Sequence, residues 1–252
     1  MGKEFYFRYT STQALADAKK MEQLLKYSSA YFKSNFMPIL PVKKDALILD
    51  VACGYGRHLT SLISLGYSNC IGVDISEEQI KYARNELKLN NVEVADIFQW
   101  LDLNKNNFDC IMIIDFLEHL NNEDLVNLMV KLRNRLNPLG RLIIHVPNGI
   151  SLFNPIIYGD LTHVRAFTSE SLRQLFLLCG FMPSFTFHEA LPPSMFNVVN
   201  SIKRTVWKII FYPLIDFIVT LTYHKMDNKI YTNNIIAVAY NPKSSILAVR
   251  EV

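Results

Sequence analysis

The stretch ILDVACGYGRHL, residues 48–59, decides the fold of this chain. Residues 47–50 have the composition of a buried strand, glycines stand at positions 54 and 56, and apolar residues at helical spacing follow. A turn with almost no side chains lets a ligand lie against the backbone between a strand and a helix N-terminus. The stretch therefore predicts a strand, turn and helix with a small-molecule cofactor at the turn.

The next predicted strand, CIGVD at residues 70–74, ends in an acid. A carboxylate at Asp74 could accept hydrogen bonds from both hydroxyls of a ribose, which indicates a nucleoside cofactor. A dinucleotide site requires G-x-G-x-x-G, and Leu59 occupies the place of its third glycine. A nicotinamide-dependent reductase is therefore disfavoured.

The run DVACGYG, residues 50–56, resembles motif I of the class I S-adenosylmethionine-dependent methyltransferases, usually D-x-G-x-G-x-G. Ala52 departs from that motif. The resemblance implies that Asp50 serves the ammonium group of the cofactor through a water or backbone contact, that Asp74 binds the ribose and that Asp96 accepts the adenine amino group. An ordinary turn with glycines for geometry is the alternative. The predicted cofactor-binding residues are Asp50, Ala52, Gly54, Tyr55, Gly56, Asp74, Ile75, Asp96, Ile97 and Asp115.

Strands and helices alternate along the chain. A helix capped by Ser76 runs to about Leu89, a third strand VEVAD ends at Asp96, a fourth occupies residues 108–115, and a fifth, after the turn NPLG, occupies residues 141–148. This alternation predicts a parallel sheet with ligands at the carboxyl ends of its strands. The candidate side chains at those ends are Asp50, Asp74, Asp96, Asp115 and Asn148.

The predicted fold class is α/β: a Rossmann-like, seven-stranded, mostly parallel sheet with helices on both faces. Residues 1–44 form an N-terminal helical cap, with a helix from Ser11 to about Met37, and residues 45–190 form the cofactor-binding core. A helix capped by Ser169 precedes a sixth strand at residues 181–188. A helical insertion occupies residues 191–230, and the last strand and tail occupy residues 231–252.

Composition narrows the class of protein. The net charge of +3 is small and the basic residues are dispersed, so nucleic acid is not an expected partner. The four cysteines are far apart and form no C-x-x-C, which favours a reducing compartment. The opening MGKEFYFRYT lacks the pattern of a secretory signal. We expect a cytoplasmic protein, either free or at the inner face of the membrane.

The segment of residues 197–225 is rich in apolar and aromatic side chains. Pro213 and Asp216 interrupt its longest apolar run, which falls short of the roughly 20 residues that a membrane span needs, so no transmembrane helix is predicted. Trp207 and the neighbouring lysines could lie flat on an anionic membrane. The same helices could instead cover the active site or form a homodimer.

The chemistry of the predicted reaction points to two histidines. Methyl transfer from a sulfonium depends on alignment of the acceptor, and a hydroxyl acceptor must also lose its proton. His163 is the preferred general base, with Asp160 orienting it and Arg165 meeting an acidic group on the substrate. Alternatively, Asp160 and Arg165 only hold the loop by an ion pair. His58 and His145 are expected to be structural.

The spacing D-x-x-E-H joins Asp115, Glu118 and His119, and His163 could add a fourth ligand to a divalent metal ion, Mg²⁺ or Mn²⁺. The pattern resembles the E-x-x-E-H metal site of ubiquinone-pathway O-methyltransferases and small-RNA terminal methyltransferases, which would imply a cation that binds an acceptor diol. Alternatively, Glu118 and His119 line the acceptor pocket or cap the next helix. His163, His119 and Glu118 are the predicted catalytic residues.

The run DLTHVRAFT, residues 160–168, resembles the D-x-T-H-v-R-x-x-T run of bacterial methyltransferases of cell-surface polysaccharide pathways. That resemblance implies O-methylation of a sugar or another hydroxylated intermediate of capsule or lipopolysaccharide biosynthesis. A quinone or lipid-linked acceptor is the alternative within the enzyme class. The remaining alternative is a non-catalytic interaction module that retains the methyltransferase fold.

Overall fold

One seven-stranded sheet carries the fold. The computed structural model describes residues 18–153, 155–193, 198–222 and 228–242. The strand order is β3-β2-β1-β4-β5-β7-β6, and β7 runs antiparallel to both of its neighbours while the other pairs are parallel. The strands are β1 Ile48–Val51, β2 Cys70–Asp74, β3 Val92–Val94, β4 Phe108–Ile114, β5 Leu136–Pro147, β6 Thr186–Glu189 and β7 Asn234–Tyr240. The predicted fold class is confirmed.

Helices flank the sheet and connect its strands. They are α1 Ala18–Asn35, α2 Arg57–Ser64, α3 Glu77–Asn85, α4 Ile97–Leu103, α5 Asn122–Asn134, α6 Pro155–Gly159, α7 Ser169–Leu178, α8 Val198–Val206 and α9 Tyr212–Thr222. Short 3₁₀ turns follow α1 at Met37–Ile39 and β4 at Leu117–His119. Residues 11–17 of the predicted N-terminal helix lie outside the described residues.

The core lies on both faces of the central strands. Alternate residues of β1 and β4 belong to two separate apolar clusters: Leu49 and Ile111 lie on one face, and Ile48 and Met112 on the other. All four side chains are fully buried. This period of two is expected of a parallel strand covered on both faces, and it explains the nearly unbroken apolar run in β4.

Helix α1 covers the second of these faces. Phe32 and Phe36 are fully buried, with ring centroids 5.0 Å apart, and Phe32 also stacks on His58 at 5.8 Å. Burial lowers the pKa of His58 well below its usual value, so this imidazole is neutral and packs as part of the core. This agrees with the structural part predicted for His58.

Several predicted boundaries are corrected near the cofactor turn. Helix α3 ends at Asn85 rather than near Leu89, although Ser76 caps it as predicted, with its hydroxyl accepting from Gln79 N. The third strand is shorter than predicted because Asp96 leaves it to cap α4, a helix that the sequence patterns did not reveal. With only seven residues, α4 is too short to show a clear helical repeat.

Other boundaries move in the second half of the chain. β5 starts at Leu136, so the predicted NPLG turn lies inside this strand. The pairing of β5 with β4 shifts register at this point, between Phe108 and Cys110 of β4. Thr168, not Ser169, caps α7, because its hydroxyl and that of Ser171 exchange hydrogen bonds with each other's backbone N–H. β6 occupies only the last part of the predicted residues 181–188 and ends one residue later.

The insertion forms one continuous helix, Val198–Thr222, which we call the insertion helix. It is long and apolar enough to cross a membrane by length and composition, with a mean hydropathy of 1.5, which corrects the prediction that its apolar run is too short. The helix passes Pro213 because α8 and α9 are joined by a π turn at Trp207–Phe211, in which Tyr212 N donates to Trp207 O five residues earlier. Residues 197 and 223–225 lie outside the described part.

Candidate functional site

The glycine turn after β1 has an unusual backbone. Ala52, Gly54 and Gly56 all adopt left-handed conformations, with φ of 54°, 56° and 84°. A Cβ on Gly54 would lie 2.7 Å from Gln79 Oε1, and one on Gly56 would lie 2.3 Å from the Leu89 side chain. The turn therefore needs glycine at both positions, and Ala52 holds a conformation that is strained for a residue with a side chain.

A cavity of about 760 Å³ opens beside this turn, at the carboxyl ends of the parallel strands. Eight of the ten predicted cofactor-binding residues line it, all except Asp50 and Gly56. The three predicted catalytic residues line it as well. The fold thus brings nearly all the candidate residues to one cavity. The lining candidates are Ala52, Gly54, Tyr55, Asp74, Ile75, Asp96, Ile97, Asp115, Glu118, His119 and His163.

Hydrogen bonds to the Asp74 carboxylate hold the glycine turn in place. Asp74 Oδ2 accepts from Gly54 N at 2.8 Å and its Oδ1 accepts from Ser76 N at 2.8 Å. Burial raises the pKa of Asp74, and these backbone N–H groups oppose that rise. Each carboxylate oxygen has two lone pairs, so acceptor capacity remains for the hydroxyls of a ribose. Asp74 therefore ties the end of β2 to the turn whether or not it also binds a ligand.

Asp50 lies beneath the turn and not on the cavity wall. Its side chain is 1% exposed, and Oδ2 has no hydrogen-bond partner in the described part of the chain. Burial raises the pKa of Asp50 to about 7, with Arg57 opposing the rise and Asp74 adding to it. An acceptor that lacks a donor at this depth leaves room for a water or a ligand group to complete it.

Asp96 stands between β3 and α4 on the cavity wall. Its Oδ1 accepts from Phe98 N at 3.0 Å and from Gln99 N at 3.3 Å, which caps the helix. The Asp96 side chain therefore caps a helix, which the sequence did not indicate. It also lines the cavity, next to Ile97.

Asp115 belongs to a hydrogen-bonded chain that sequence reasoning missed. Its Oδ1 lies 2.6 Å from His145 Nδ1 and its Oδ2 accepts from Arg57 Nη2 at 3.1 Å, while His145 Nε2 lies 2.9 Å from the Tyr31 hydroxyl. Burial raises the pKa of Asp115, but His145 and Arg57 outweigh it, so that pKa lies well below the usual range. His145 stands in the apolar pattern of β5, and α1 is distant in sequence, so no local signal joined these residues.

Glu118, His119 and His163 form a compact cluster on another side of the cavity. One potential ligand atom from each lies within 4.8 Å of the others. Asp115, which was predicted to join them, is engaged with Arg57 and His145 instead. Glu118 is 1% exposed, and neither of its carboxylate oxygens accepts a hydrogen bond from another residue described here. Burial, and then the charge of Asp115, raises the pKa of Glu118 to about 9.

Hydrogen bonds from the loop that follows β5 fix both imidazoles. Nδ1 of His163 lies 3.1 Å from the Ile156 carbonyl, and Nδ1 of His119 lies 2.9 Å from the Thr162 hydroxyl, which itself donates to Asp160 Oδ1. Because a carbonyl can only accept, the neutral His163 carries its proton on Nδ1 and leaves Nε2 as the acceptor. Burial lowers the pKa of His119, so the ring of His119 is neutral near pH 7.

The contacts of Asp160 and Arg165, in the loop around His163, differ from those predicted. Asp160 bonds chiefly to Thr162, and its Oδ2 is 4.0 Å from His163 Nε2, at the limit of an ion pair. Arg165 donates to Asn122 Oδ1 and does not line the cavity. The loop is held by Val164 N, which donates to Glu118 O at 2.9 Å. The alternative of an ion pair between Asp160 and Arg165 is not found among the described residues.

Asn148, at the end of β5, is a structural residue. It is 1% exposed, and its Nδ2 donates to the carbonyls of Ile230 at 2.8 Å and Thr232 at 2.9 Å. Its amide thus joins β5 to the segment that leads into β7. The predicted place of Asn148 beside the ligand is corrected, since it does not line the cavity.

Comparison with known proteins finds a family model that matches part of the chain. Residues 48–140 match a family model described as a methyltransferase domain. Over 156 residues the chain is 29% identical to an uncharacterised protein of Methanocaldococcus jannaschii, which covers 62% of this chain and 64% of that protein. A stretch of 65 residues is 43% identical to ribosomal protein L11 methyltransferase of Caldanaerobacter subterraneus subsp. tengcongensis, which covers 26% of this chain and 21% of that protein.

Solved structures agree on the fold. The chain is similar to a SAM-dependent methyltransferase from Archaeoglobus fulgidus with a TM-score of 0.58 and 21% identity, and the match covers 95% of this chain and 100% of that one. Residues 48–140 thus match a methyltransferase-domain model, and the fold expected from the resemblance to class I methyltransferases is confirmed. The chain spans less than two thirds of the length of the two curated relatives named above.

Proposed function

We propose that this protein is an S-adenosylmethionine-dependent O-methyltransferase that acts on a sugar or another hydroxylated intermediate of capsule or lipopolysaccharide biosynthesis. The observation that carries the proposal is the single cavity that joins the glycine turn to the imidazoles of His119 and His163. One side of the cavity has the features of a cofactor site and another has a proton acceptor. A methyltransferase of hydroxyl groups needs both.

The residues fit the proposed cofactor. Gly54 lines the cavity with a left-handed φ of 56°, so its backbone is open to a ligand without a side chain in between. Asp50 Oδ2, buried below the turn, is an unsatisfied acceptor within the described residues and suits a cationic amine reached through a water. Bound S-adenosylmethionine supplies a methyl group activated by a sulfonium.

His163 is the proposed general base. Its Nε2 is left as an acceptor by the bond from Nδ1 to Ile156 O, so it can take the hydroxyl proton of an acceptor. Glu118, held neutral by burial, lies 3.8 Å from that nitrogen and places no fixed negative charge beside it. His119, fixed through Thr162, lines the same part of the cavity.

The acceptor class rests on the loop of residues 160–168, which resembles that of polysaccharide methyltransferases and contributes Asp160, His163 and Val164 to the cavity wall. A polar wall with two imidazoles and a carboxylate suits a hydroxylated sugar better than an apolar ring. A quinone or lipid-linked acceptor is the second candidate, favoured by the exposed apolar insertion helix.

Cofactor binding is tested by calorimetric titration with S-adenosylhomocysteine. We expect Gly54→Ala to weaken binding by about tenfold or more, because the added methyl group displaces the Gln79 side chain on the cavity wall. The matched control is Gly66→Ala: Gly66 has φ of 87°, so the backbone strain is similar, but a Cβ there meets no atom within 4 Å. Equal loss of affinity in both variants would show that Gly54 has no particular place in the cofactor site, and no binding by the parent protein would favour the non-catalytic interaction module.

The base is tested by methyl transfer to candidate sugar nucleotides. We expect His163→Asn to lower kcat by about 10²–10⁴-fold while affinity for S-adenosylhomocysteine is unchanged. His188→Asn is the control, since His188 lies on edge strand β6, outside the cavity lining, and its imidazole bonds to the Thr186 hydroxyl. Full activity of the His163 variant would exclude it as the base.

The cluster of Glu118, His119 and His163 also has the ligand types of a divalent cation site. The two unpartnered oxygens of Glu118 are what a cation would complete, and such an ion would hold an acceptor diol. Because Glu118 is protonated near neutral pH, cation binding must release a proton.

Release of this proton distinguishes a site that binds a cation from a metal-free site in which His163 is the base. Titration with Mn²⁺ or Mg²⁺ in two buffers of different ionisation enthalpy should show release of about one proton per ion, absent in Glu118→Gln. No cation binding, or binding without proton release, would leave the metal-free arrangement with His163 as base.

A further inference from the structure

We propose that the insertion helix binds the surface of an anionic lipid bilayer, lying in the plane of the membrane with its apolar face inserted. The inference does not depend on the proposed function, because it rests on a surface outside the cavity. The side chains of the insertion helix that contact the domain differ in polarity from those that face away from it.

Three polar side chains of the helix, those of Asn200, Arg204 and Asp216, face the domain. Asn200 is buried. Arg204 donates to the Pro192 carbonyl and the Ser34 hydroxyl, both at 3.4 Å. Asp216 accepts from Lys229 Nζ and from the Tyr231 hydroxyl, both at 2.8 Å. The only buried apolar residue of the described helix is Ile215.

The apolar side chains face away from the domain. From residue 209 onward they occupy positions 209, 210, 211, 214, 217, 218 and 221, and these spacings of one and three residues keep them on one side of a helix. Ile209 is 70% exposed, Phe217 61% and Leu221 69%. This polarity is the reverse of that of a surface helix in water, and so large an exposed apolar stripe indicates an interaction site. The exposed apolar members are Val198, Val199, Ile202, Ile209, Ile210, Phe211, Leu214, Phe217, Ile218 and Leu221.

The helix cannot span a bilayer, although its length of about 37 Å would suffice. It joins β6 to β7, which pair side by side in the same sheet, so both of its ends return to one domain. Between Thr222 and residue 228 the chain can extend no more than about 20 Å, short of the roughly 30 Å of hydrocarbon. The bonds of Asp216 also hold the middle of the helix against the domain. It therefore lies along the membrane.

The charges favour lipid over a second copy of the chain. Lys203 and Lys208 are exposed beside the apolar stripe, and the one acid of the described helix, Asp216, is paired on the domain side. Cations flanking an apolar helix face match the negative headgroups of an anionic bilayer. In a two-fold dimer the same face meets itself, and the described helix has no acid on that face to pair with the two lysines.

Vesicle flotation tests the inference with the full chain. We expect binding to vesicles of phosphatidylcholine with about 30 mol% phosphatidylglycerol, weaker binding to pure phosphatidylcholine, and weakening by salt. Serine at Ile209, Phe217 and Leu221 together should reduce binding by about tenfold or more. The matched control places serine at three exposed apolar residues elsewhere, Val42, Leu103 and Leu178, and should bind like the parent.

Two results would overturn the inference. One is no binding of the parent chain to either vesicle type, and the other is equal binding by the triple variant of the helix. Light scattering of the same proteins tests whether the apolar face instead forms a dimer. A parent protein that is dimeric and does not bind vesicles, together with a monomeric helix variant, would assign the face to a second copy of the chain. Lys203→Gln with Lys208→Gln should selectively weaken binding to the anionic vesicles by several-fold.

Discussion

Oε1 of Glu118 lies 3.8 Å from Nε2 of His163, and no other described residue donates a hydrogen bond to either oxygen of that carboxyl. The pair is buried at the cavity wall. Burial raises the pKa of Glu118 to about 9, so the carboxyl is neutral at pH 7. A neutral carboxyl cannot take the proton of an acceptor hydroxyl, so Nε2 of His163 is the group of this pair that can accept it.

Glu118→Gln should change how stability depends on pH. The pKa of Glu118 is 4.5 when solvated and about 9 in the folded protein, so as pH rises between these values only the unfolded chain ionises and stability falls. The fall is at most about 1.4 kcal/mol per pH unit. The variant should therefore exceed the parent in stability by a margin that grows from about pH 5 to pH 8, measured by urea unfolding.

A margin that stays constant across this range would contradict the assigned pKa. Asp50 also has a raised pKa, but it is present in both proteins, so its contribution cancels in the difference.

Asp115→Asn should show the opposite dependence. His145 and Arg57 hold the pKa of Asp115 well below its usual range against the effect of burial, so its contribution to stability is present above pH 4 and is lost as the pH falls further. Because the side chain is 40% exposed, we expect a loss of only about 1–2 kcal/mol at pH 7, smaller at pH 3. Asp102→Asn, which removes an exposed pair with Lys131, should cost less than about 0.5 kcal/mol.

Ala52→Gly should stabilise the protein. A left-handed φ of 54° destabilises the folded state by about 1–2 kcal/mol for a residue with a side chain, and glycine removes this strain. Glycine also has more conformational freedom in the unfolded chain, which offsets about 0.4–1 kcal/mol of that gain. The expected net gain is about 0.5–1 kcal/mol in thermal or urea unfolding. At Ala95, which has no such φ, the same substitution should destabilise by about 0.5–1 kcal/mol. A similar loss of unfolding free energy in Ala52→Gly and Ala95→Gly would show that the backbone of Ala52 is not strained.

Asn148→Ala should destabilise strongly. It removes two donors and leaves the carbonyls of Ile230 and Thr232 without them in a buried place, at a cost of about 2–4 kcal/mol. Faster hydrogen exchange should be concentrated in residues 230–236. Asn69→Ala is the comparison, because its one bond to Asp45 O is exposed and should be worth less than about 1 kcal/mol. A loss no larger than that of Asn69→Ala would show that Asn148 is not a clamp.

The sequence predicted the features that depend on local spacing. The glycine turn, the acid at the end of β2 and the apolar run of β4 each depend on neighbours within a few residues, and the fold built from them is confirmed. Ser76 was found for the same reason, since a cap and its helix are adjacent.

Features that depend on distant residues were missed. Tyr31 and His145 are 114 positions apart, and only the packing of α1 on the sheet brings them together. Asn148 was assigned to the ligand because a strand end is the usual place for one, whereas its partners come from the segment before β7. Pro213 indicated a break, but the π turn before it keeps the helix continuous. Each of these results follows from tertiary contacts that no local pattern contains.

The position of β7 also sets an order of events during synthesis. β6 leaves the ribosome before β7, yet among the described strands it pairs only with β7, which lies between it and β5. Until residue 240 has emerged, β5 is an open edge and β6 has no neighbour, while the apolar insertion helix is already exposed. The strands β1 to β5, with the glycine turn, are complete by residue 147, so a nascent chain can acquire its cofactor region well before its sheet is closed.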